Sequence, residues 1–148
     1  MRAGVKPQII IDTSVLVAAL RSRNGAAYAV LKNIGRDRFD IHLSPKLVTE
    51  YRAVLSRFAN EPWFVPGDVE AVIDDFCRLG YLHDIFYLWR PALADAGDEH
   101  ILELAVAARA AFIVTHNVRH FSELGQFGVE AITPLQLLRM IGATNDAG

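Results

Sequence analysis

Residues Ile9–Leu20 read "IIIDTSVLVAAL": a single charge, Asp12, with apolar residues on both sides and two hydroxyls, Thr13 and Ser14, directly behind it. An unpaired carboxylate moved into an apolar setting costs several kcal/mol or takes up a proton. Asp12 must therefore sit at the rim of the core or be paired there with something positive. The apolar run predicts a short buried strand over Gln8–Asp12. A helix follows at Val15–Leu20, with Thr13 or Ser14 as its cap.

Outward from this stretch the pattern alternates. Gly25–Ile34 reads as a second helix and Phe39–Leu43 as a strand. "SPKLVTEYRAVLSRF" has Ser44 placed to cap, Pro45 in the first turn and an apolar stripe of Leu47, Tyr51, Val54, Leu55 and Phe58, the signature of an amphipathic helix. "NEPWFVPG" (Asn60–Gly67) is a breaker-rich loop, and Asp68–Leu82 is a further amphipathic helix. Ile85–Trp89 is β-branched and aromatic and reads as a strand. Asp98–Ala110 is helical, Ala111–Thr115 and Val129–Ile132 are strands, and "TPLQLLRMI" closes as a helix. Strands separated by helices imply right-handed crossovers and a parallel sheet between two helical layers, a three-layer α/β/α fold. Sites in such sheets form beyond the carboxyl ends of the strands. Asp12 ends one strand, and "VTHN" (Val114–Asn117) ends another.

A chain of 148 residues with 52% apolar and 22% charged residues is ordinary globular composition, expected to form one domain over 1–148 with its core at about 8–141. The single cysteine, Cys77, excludes an internal disulfide framework and a Cys-based zinc site; its setting in "VIDDFCRLG" predicts a small buried hydrophobe. No apolar run approaches the ~18 residues that span a bilayer, and "MRAGVKPQ" is short and polar for a signal peptide, so the expected location is cytoplasmic. A net charge of −2 argues against a general nucleic-acid binder, though not against an enzyme that touches a few phosphates.

Three acids have a reason to converge. On the helix of "ADAGDEHILELAVAARA", Asp98 shares a face with Ile101, Leu102, Ala105 and Ala108, whereas Glu99 and Glu103 project away as solvated surface and His100 lies nearly opposite. Glu50 sits at the edge of its own helix's apolar stripe, with a salt bridge to Lys46 or Arg57 as the simpler alternative. Asp95 lies in a loop. Asp12, Glu50 and Asp98 meeting without a cation would repel, each raising the others' pKa. A hard divalent ion with oxygen ligands removes that conflict.

These residues resemble the PIN-domain ribonucleases, particularly the branch of toxin components in toxin–antitoxin pairs. "IIIDTSVLVAAL" resembles the opening strand and first acid, "LSPKLVTEYRAVL" the helix of the second acid, and "DAGDEHILELAVAARAAFIVTHNVRHF" the third acid, the next strand and the terminal polar motif. The resemblance extends from about Gln8 to Met140 and implies a PIN-like fold. It implies Asp12, Glu50 and Asp98 as a catalytic site holding Mg²⁺ or Mn²⁺, with Thr13, Ser14 and Thr115 in support. Where many relatives carry a fourth aspartate, this chain has Asn117, able to ligate through its carbonyl but adding no charge. The implied activity is metal-assisted hydrolysis of RNA phosphodiester bonds, in which a base such as Glu50 or Asp98 positions the attacking water. Arg21 and Arg23 are candidate phosphate contacts, or else solvated loop arginines.

The implied partners are RNA, an antitoxin that lays an amphipathic segment over the acids, and a second copy of the chain in a homodimer. The helices at Gly25–Ile34 and Ser44–Phe58 and the aromatic loop at Trp63–Phe64 are the expected docking surfaces. Alternatives are a catalytically weak PIN-like module that works by binding RNA or protein, and a zinc site at His116 and His120 in "HNVRH". A phosphoryl-transfer domain acting on a small molecule would also use a strand-end Asp. No Gly-rich phosphate loop supports it.

Overall fold

The structure, a computed structural model, describes residues 5–84 and 99–142. Five strands, β1 (Gln8–Ile11), β2 (Asp40–Leu43), β3 (Tyr81–Leu82), β4 (Phe112–Val114) and β5 (Glu130–Ile132), form one sheet in the order β3-β2-β1-β4-β5. Every pairing is parallel. Among the described residues six α-helices flank it: α1 (Thr13–Arg21), α2 (Ala26–Lys32), α3 (Pro45–Ser56), α4 (Pro66–Leu79), α5 (Glu99–Ala108) and α6 (Pro134–Met140). This is the three-layer α/β/α sandwich expected from the alternating pattern.

The strand order carries the consequence for function. From β1 the chain steps outward to β2 and β3, then returns to the other side of β1 for β4 and β5. Neighbouring connections leave β1 and β4 in opposite directions, which opens a crevice at their carboxyl ends. Ile11 is in register with Val114, so the residues that follow, Asp12 and Thr115, emerge side by side. The central strand is buried along Ile9, Ile10 and Ile11, and the two sides of the sheet share one contiguous apolar core that includes Leu16, Leu43, Leu47, Leu55, Ile73, Leu104 and Ile113.

Local signals explain most boundaries. Ser44 is fully buried and accepts a hydrogen bond from the Leu47 amide at 3.1 Å, with Pro45 in the first turn of α3. Thr133 and Gln136 form a reciprocal capping box on α6. The cap of α1 is Asp12 itself, with extended backbone and its carbonyl accepting from Val15 N, rather than Thr13 or Ser14.

Helix α4 begins at Pro66 and stops at Leu79, and Tyr81–Leu82, expected as its last turn, is instead β3. The stop is Gly80: a Cβ there would lie 2.8 Å from the Phe76 carbonyl oxygen and 2.9 Å from Ile41 Cγ1. Cys77 is exposed, contrary to expectation, because α4 buries Val69, Ile73 and Phe76 and the next residue turns about 100° away. A 3-10 segment over Val118–Phe127, kinked at Phe121, was not legible in the sequence pattern. The strand expected at Ile85–Trp89, the loop residue Asp95 and the acid Asp98 lie outside the described residues. No described helix is long and apolar enough to cross a membrane.

Candidate active site

Asp12 leaves the core at the end of β1 and is still only 8% exposed. Its amide donates to the Val114 carbonyl at 2.9 Å, which ties the turn to β4. Its carboxylate makes no capping bond to α1. Oδ2 instead accepts from Ser14 Oγ at 2.7 Å and from Thr115 Oγ1 at 2.8 Å, while Thr13 Oγ1 stands 3.5 Å from Oδ1. Two hydroxyls thus hold one oxygen of Asp12, which lines the pocket. Thr115, fully buried, also accepts from the Asn117 amide at 2.9 Å, and Ser14 Oγ accepts from the His116 amide at 3.1 Å. The β1 and β4 ends are therefore stitched together through the side chains of Ser14 and Thr115.

The pocket that opens here has a volume of about 580 Å³. Asp12, Thr13 and Ser14 line it from the β1 end, Glu50 from α3 and Arg57 from the cap at its end, His100 from α5, and Asn117 and His120 from the segment after β4. Glu50 reaches the pocket because α3 is anchored one residue later. Tyr51 is fully buried, packs edge-on against Phe76 and donates its hydroxyl to the Ile11 carbonyl at 2.5 Å. Burial first, then the neighbouring Asp12 and Glu50 carboxylates, push the Tyr51 phenol well above its ordinary value, so it is a permanent donor at neutral pH.

Glu50 Oε1 meets His100 Nε2 at 3.2 Å. His100, expected on the outer side of α5, is 2% exposed. The reason is that α5 packs against α3 as well as against β1 and β2, so its buried arc is wider than a single stripe. The same arc takes in Glu99 and Glu103, which are half-buried rather than solvated, with Glu99 Oε2 and Glu103 Oε1 shielded from solvent.

Arg21 and Arg23 stand away from the acids. The Arg21 guanidinium lies 5.8 Å from the centre of the Phe58 ring and 5.6 Å from that of Trp63, and Arg23 is bound to Asp68 beside Tyr28. Among the described residues, the arginine that lines the acidic pocket is Arg57. Trp63 and Phe64 are half-buried against the core. His116 and His120 belong to no cluster of three metal-ligating side chains among the described residues.

Asp12 and Glu50 supply hard carboxylate oxygens and Asn117 an amide oxygen in one pocket. Among the described residues no three His, Cys, Asp or Glu side chains group closely enough to hold a metal ion. These oxygens are of the kind a Mg²⁺-like ion takes, and such an ion keeps several of its own waters and needs few protein ligands.

The family profile described as "PIN domain" matches residues 8–119, most of the chain, from β1 into the 3-10 segment after β4. The chain belongs to the PIN-domain family. PIN domains are generally nucleases, hydrolases that act on nucleic acid and typically use divalent metals. No individual curated protein matches the chain closely enough to be named as a relative.

Proposed function

We propose that this PIN domain is a Mg²⁺- or Mn²⁺-dependent endoribonuclease and the toxin of a toxin–antitoxin module. The observation that carries the nuclease reading is the setting of Asp12. A nearly buried carboxylate stands at the switch point of a parallel sheet, with two hydroxyls on one of its oxygens and Glu50 in the same pocket. Asp12, Glu50 and Asp98 would hold the metal, with Asn117 as a neutral fourth ligand. A hard divalent cation there supplies Lewis acidity towards the phosphoryl oxygens and activation of the attacking water.

The chain's own residues do the positioning. Ser14 and Thr115 fix the Asp12 rotamer, His100 orients Glu50, and Tyr51 holds the Ile11 carbonyl and with it the β1 end. Thr13 adds a further hydroxyl at the pocket wall. The partners this reading implies are RNA, the cognate antitoxin and a second copy of the chain.

Cleavage of RNA in Mg²⁺ or Mn²⁺ and in EDTA tests the site. Asp12→Asn and Asp98→Asn should abolish metal-dependent cleavage, and Glu61→Gln, on an exposed loop, should behave as wild type. Equal cleavage by all three would sink the assignment. The toxin role is read separately, by growth arrest on expression and its relief by the product of the adjacent gene. Asn117, without charge at the pocket wall, favours the alternative of a catalytically weak binding module. A metal that binds the folded state stabilises it by about 2.7 kcal/mol at a hundredfold excess over its dissociation constant. No stabilisation by either ion would select that alternative.

A further inference from the structure

The β3 edge of the sheet is closed by a strand with few means of staying there. β3 is two residues long, with Tyr81 and Leu82 both exposed, and so short a strand has little ladder to hold it. Its main-chain pairing with β2 ends in the His83 amide, which donates to the Leu43 carbonyl at 2.7 Å. A buried side chain adds to this hold. His42, on β2, is 6% exposed. Its ring stacks on Tyr81 with centres 5.3 Å apart, and its Nδ1 meets His83 Nε2 at 2.8 Å.

The bonds around His42 fix where its hydrogen sits. Gln8 Nε2 donates to Asp40 Oδ2 at 3.0 Å and to the Lys6 carbonyl at 3.3 Å, which leaves Oε1 for His42. His42 Nε2, 2.6 Å from that oxygen, therefore carries a hydrogen. In the neutral ring Nδ1 is then a bare acceptor, and His83 supplies the hydrogen between the rings from its own Nε2. One added proton can be held, because His83 takes it on Nδ1 and goes on donating. A second has only His42 Nδ1 left, where it meets the His83 hydrogen. Two donors then face each other on two cations whose ring centres are 5.0 Å apart.

We propose that His42 and His83 form an acid-released latch on β3: the strand stays docked while the pair holds no more than one added proton and leaves the sheet edge when both rings are charged. The surroundings do little to offset the second charge. Among the described residues Asp40 is the acid that acts on His42, and it is engaged by Gln8 and by Lys6, a cation shared with Asp37. α4 packs on the opposite face of β2, where Ile41 meets Gly80. α5, packed on β1 and β2, carries Glu99, His100 and Glu103, none of which is among the charges that act on His42. Burial, and then His83, lower the His42 pKa. Release into water removes both effects, so it takes up a proton and acid drives it. The β1–β4 pairing, with the Asp12 amide on the Val114 carbonyl, contains neither histidine and stays in place.

Residue-resolved amide exchange, followed by NMR from neutral pH to about pH 5 and corrected for intrinsic rates, tests the latch. In the wild type the His83 amide should lose protection about tenfold per pH unit below about pH 6, while the Asp12 and Thr115 amides stay protected. His42→Gln, which keeps a donor for Gln8 and does not titrate, should remove that pH dependence. His83→Gln can turn its amide oxygen to a protonated His42 and should move the loss to lower pH. His116→Gln, an exposed histidine at the β4 end, should behave as the wild type. Ring-nitrogen NMR at neutral pH should find His42 with its hydrogen on Nε2.

The latch is overturned by wild-type pH dependence in His42→Gln, by a His83 amide that stays protected throughout, or by one that opens together with Asp12 and Thr115. A hydrogen on His42 Nδ1 at neutral pH overturns it too. Melting temperatures at neutral pH are the folding control. Should His42→Gln not fold, His83→Gln decides, and a loss of protection at the wild-type pH overturns the latch.

Discussion

Replacing Asn117 by Asp adds a carboxylate at the wall of the pocket that Asp12 and Glu50 line. The Asn117 amide bonds to Thr115 Oγ1, which bonds to Asp12 Oδ2, so the new charge would stand about 7 Å from Asp12. At that range an effective dielectric of about 20 gives roughly 2 kcal/mol of repulsion. Residue 117 is exposed, and solvent screening lowers this to about 1 kcal/mol.

With a divalent ion in the pocket the same carboxylate is attracted, by a similar or larger amount. Asn117 also precedes the 3-10 segment as its cap without a side-chain capping bond. An acid there gains a few tenths of a kcal/mol with or without metal, and that gain cancels in the comparison. Melting curves in EDTA and in saturating Mn²⁺ should therefore show the variant less stable than wild type, once corrected for the cap, in the first and more stable in the second. The double difference is about 2 kcal/mol, or roughly 4–8 °C for a chain of this size. Ser122→Asp, on the outer side of the same segment, should give the same shift in both buffers. The same shift for Asn117→Asp in both would refute the placement of residue 117 in the metal site.

Tyr51→Phe removes the donor to the Ile11 carbonyl and should cost about 1–2 kcal/mol in chemical denaturation; no loss would mean that the bond does not anchor the β1 end. Gly80→Ala should destabilise by about 1–3 kcal/mol, since its Cβ meets backbone oxygen at 2.8 Å, and an unchanged midpoint would contradict the packing of α4 against β2. His42 is buried against His83 and Gln8, with Nδ1 2.8 Å from His83 Nε2 and Nε2 2.6 Å from Gln8 Oε1. Burial and then His83 lower its pKa, against a smaller opposing pull from Asp40, itself paired to Lys6. The folded state thus binds this proton less readily than the unfolded chain. Its contribution to stability is complete above the ordinary value of 6.5 and is lost as pH falls below it, with a slope of at most about 1.4 kcal/mol per pH unit. His42→Gln should flatten that part of the stability profile, and an identical profile would rule His42 out as its source.

The sequence by itself determined the elements that depend on neighbours along the chain. The apolar run through Ile9–Ile11 can only be a covered strand, Ser44 and Pro45 start α3, and the capping box at Thr133 starts α6, because these are properties of a few consecutive residues. It also singled out Asp12, since a lone charge in such a run needs a reason. Tertiary structure alone decided what the other polar groups do. Glu50 meets His100 across 50 positions of chain, a contact that no helical period encodes, and α5 buries His100 because a second helix lies against the face expected to meet water. The arginines show the same division. Arg21, Arg23 and Arg57 are alike as residues, and only the packing of α1 against α3, and of Asp68 near α2, consigns Arg23 to an ion pair and leaves Arg57 at the mouth of the acidic pocket. A side chain's charge is a local fact, whereas the absence of a partner for it is a property of everything folded around it.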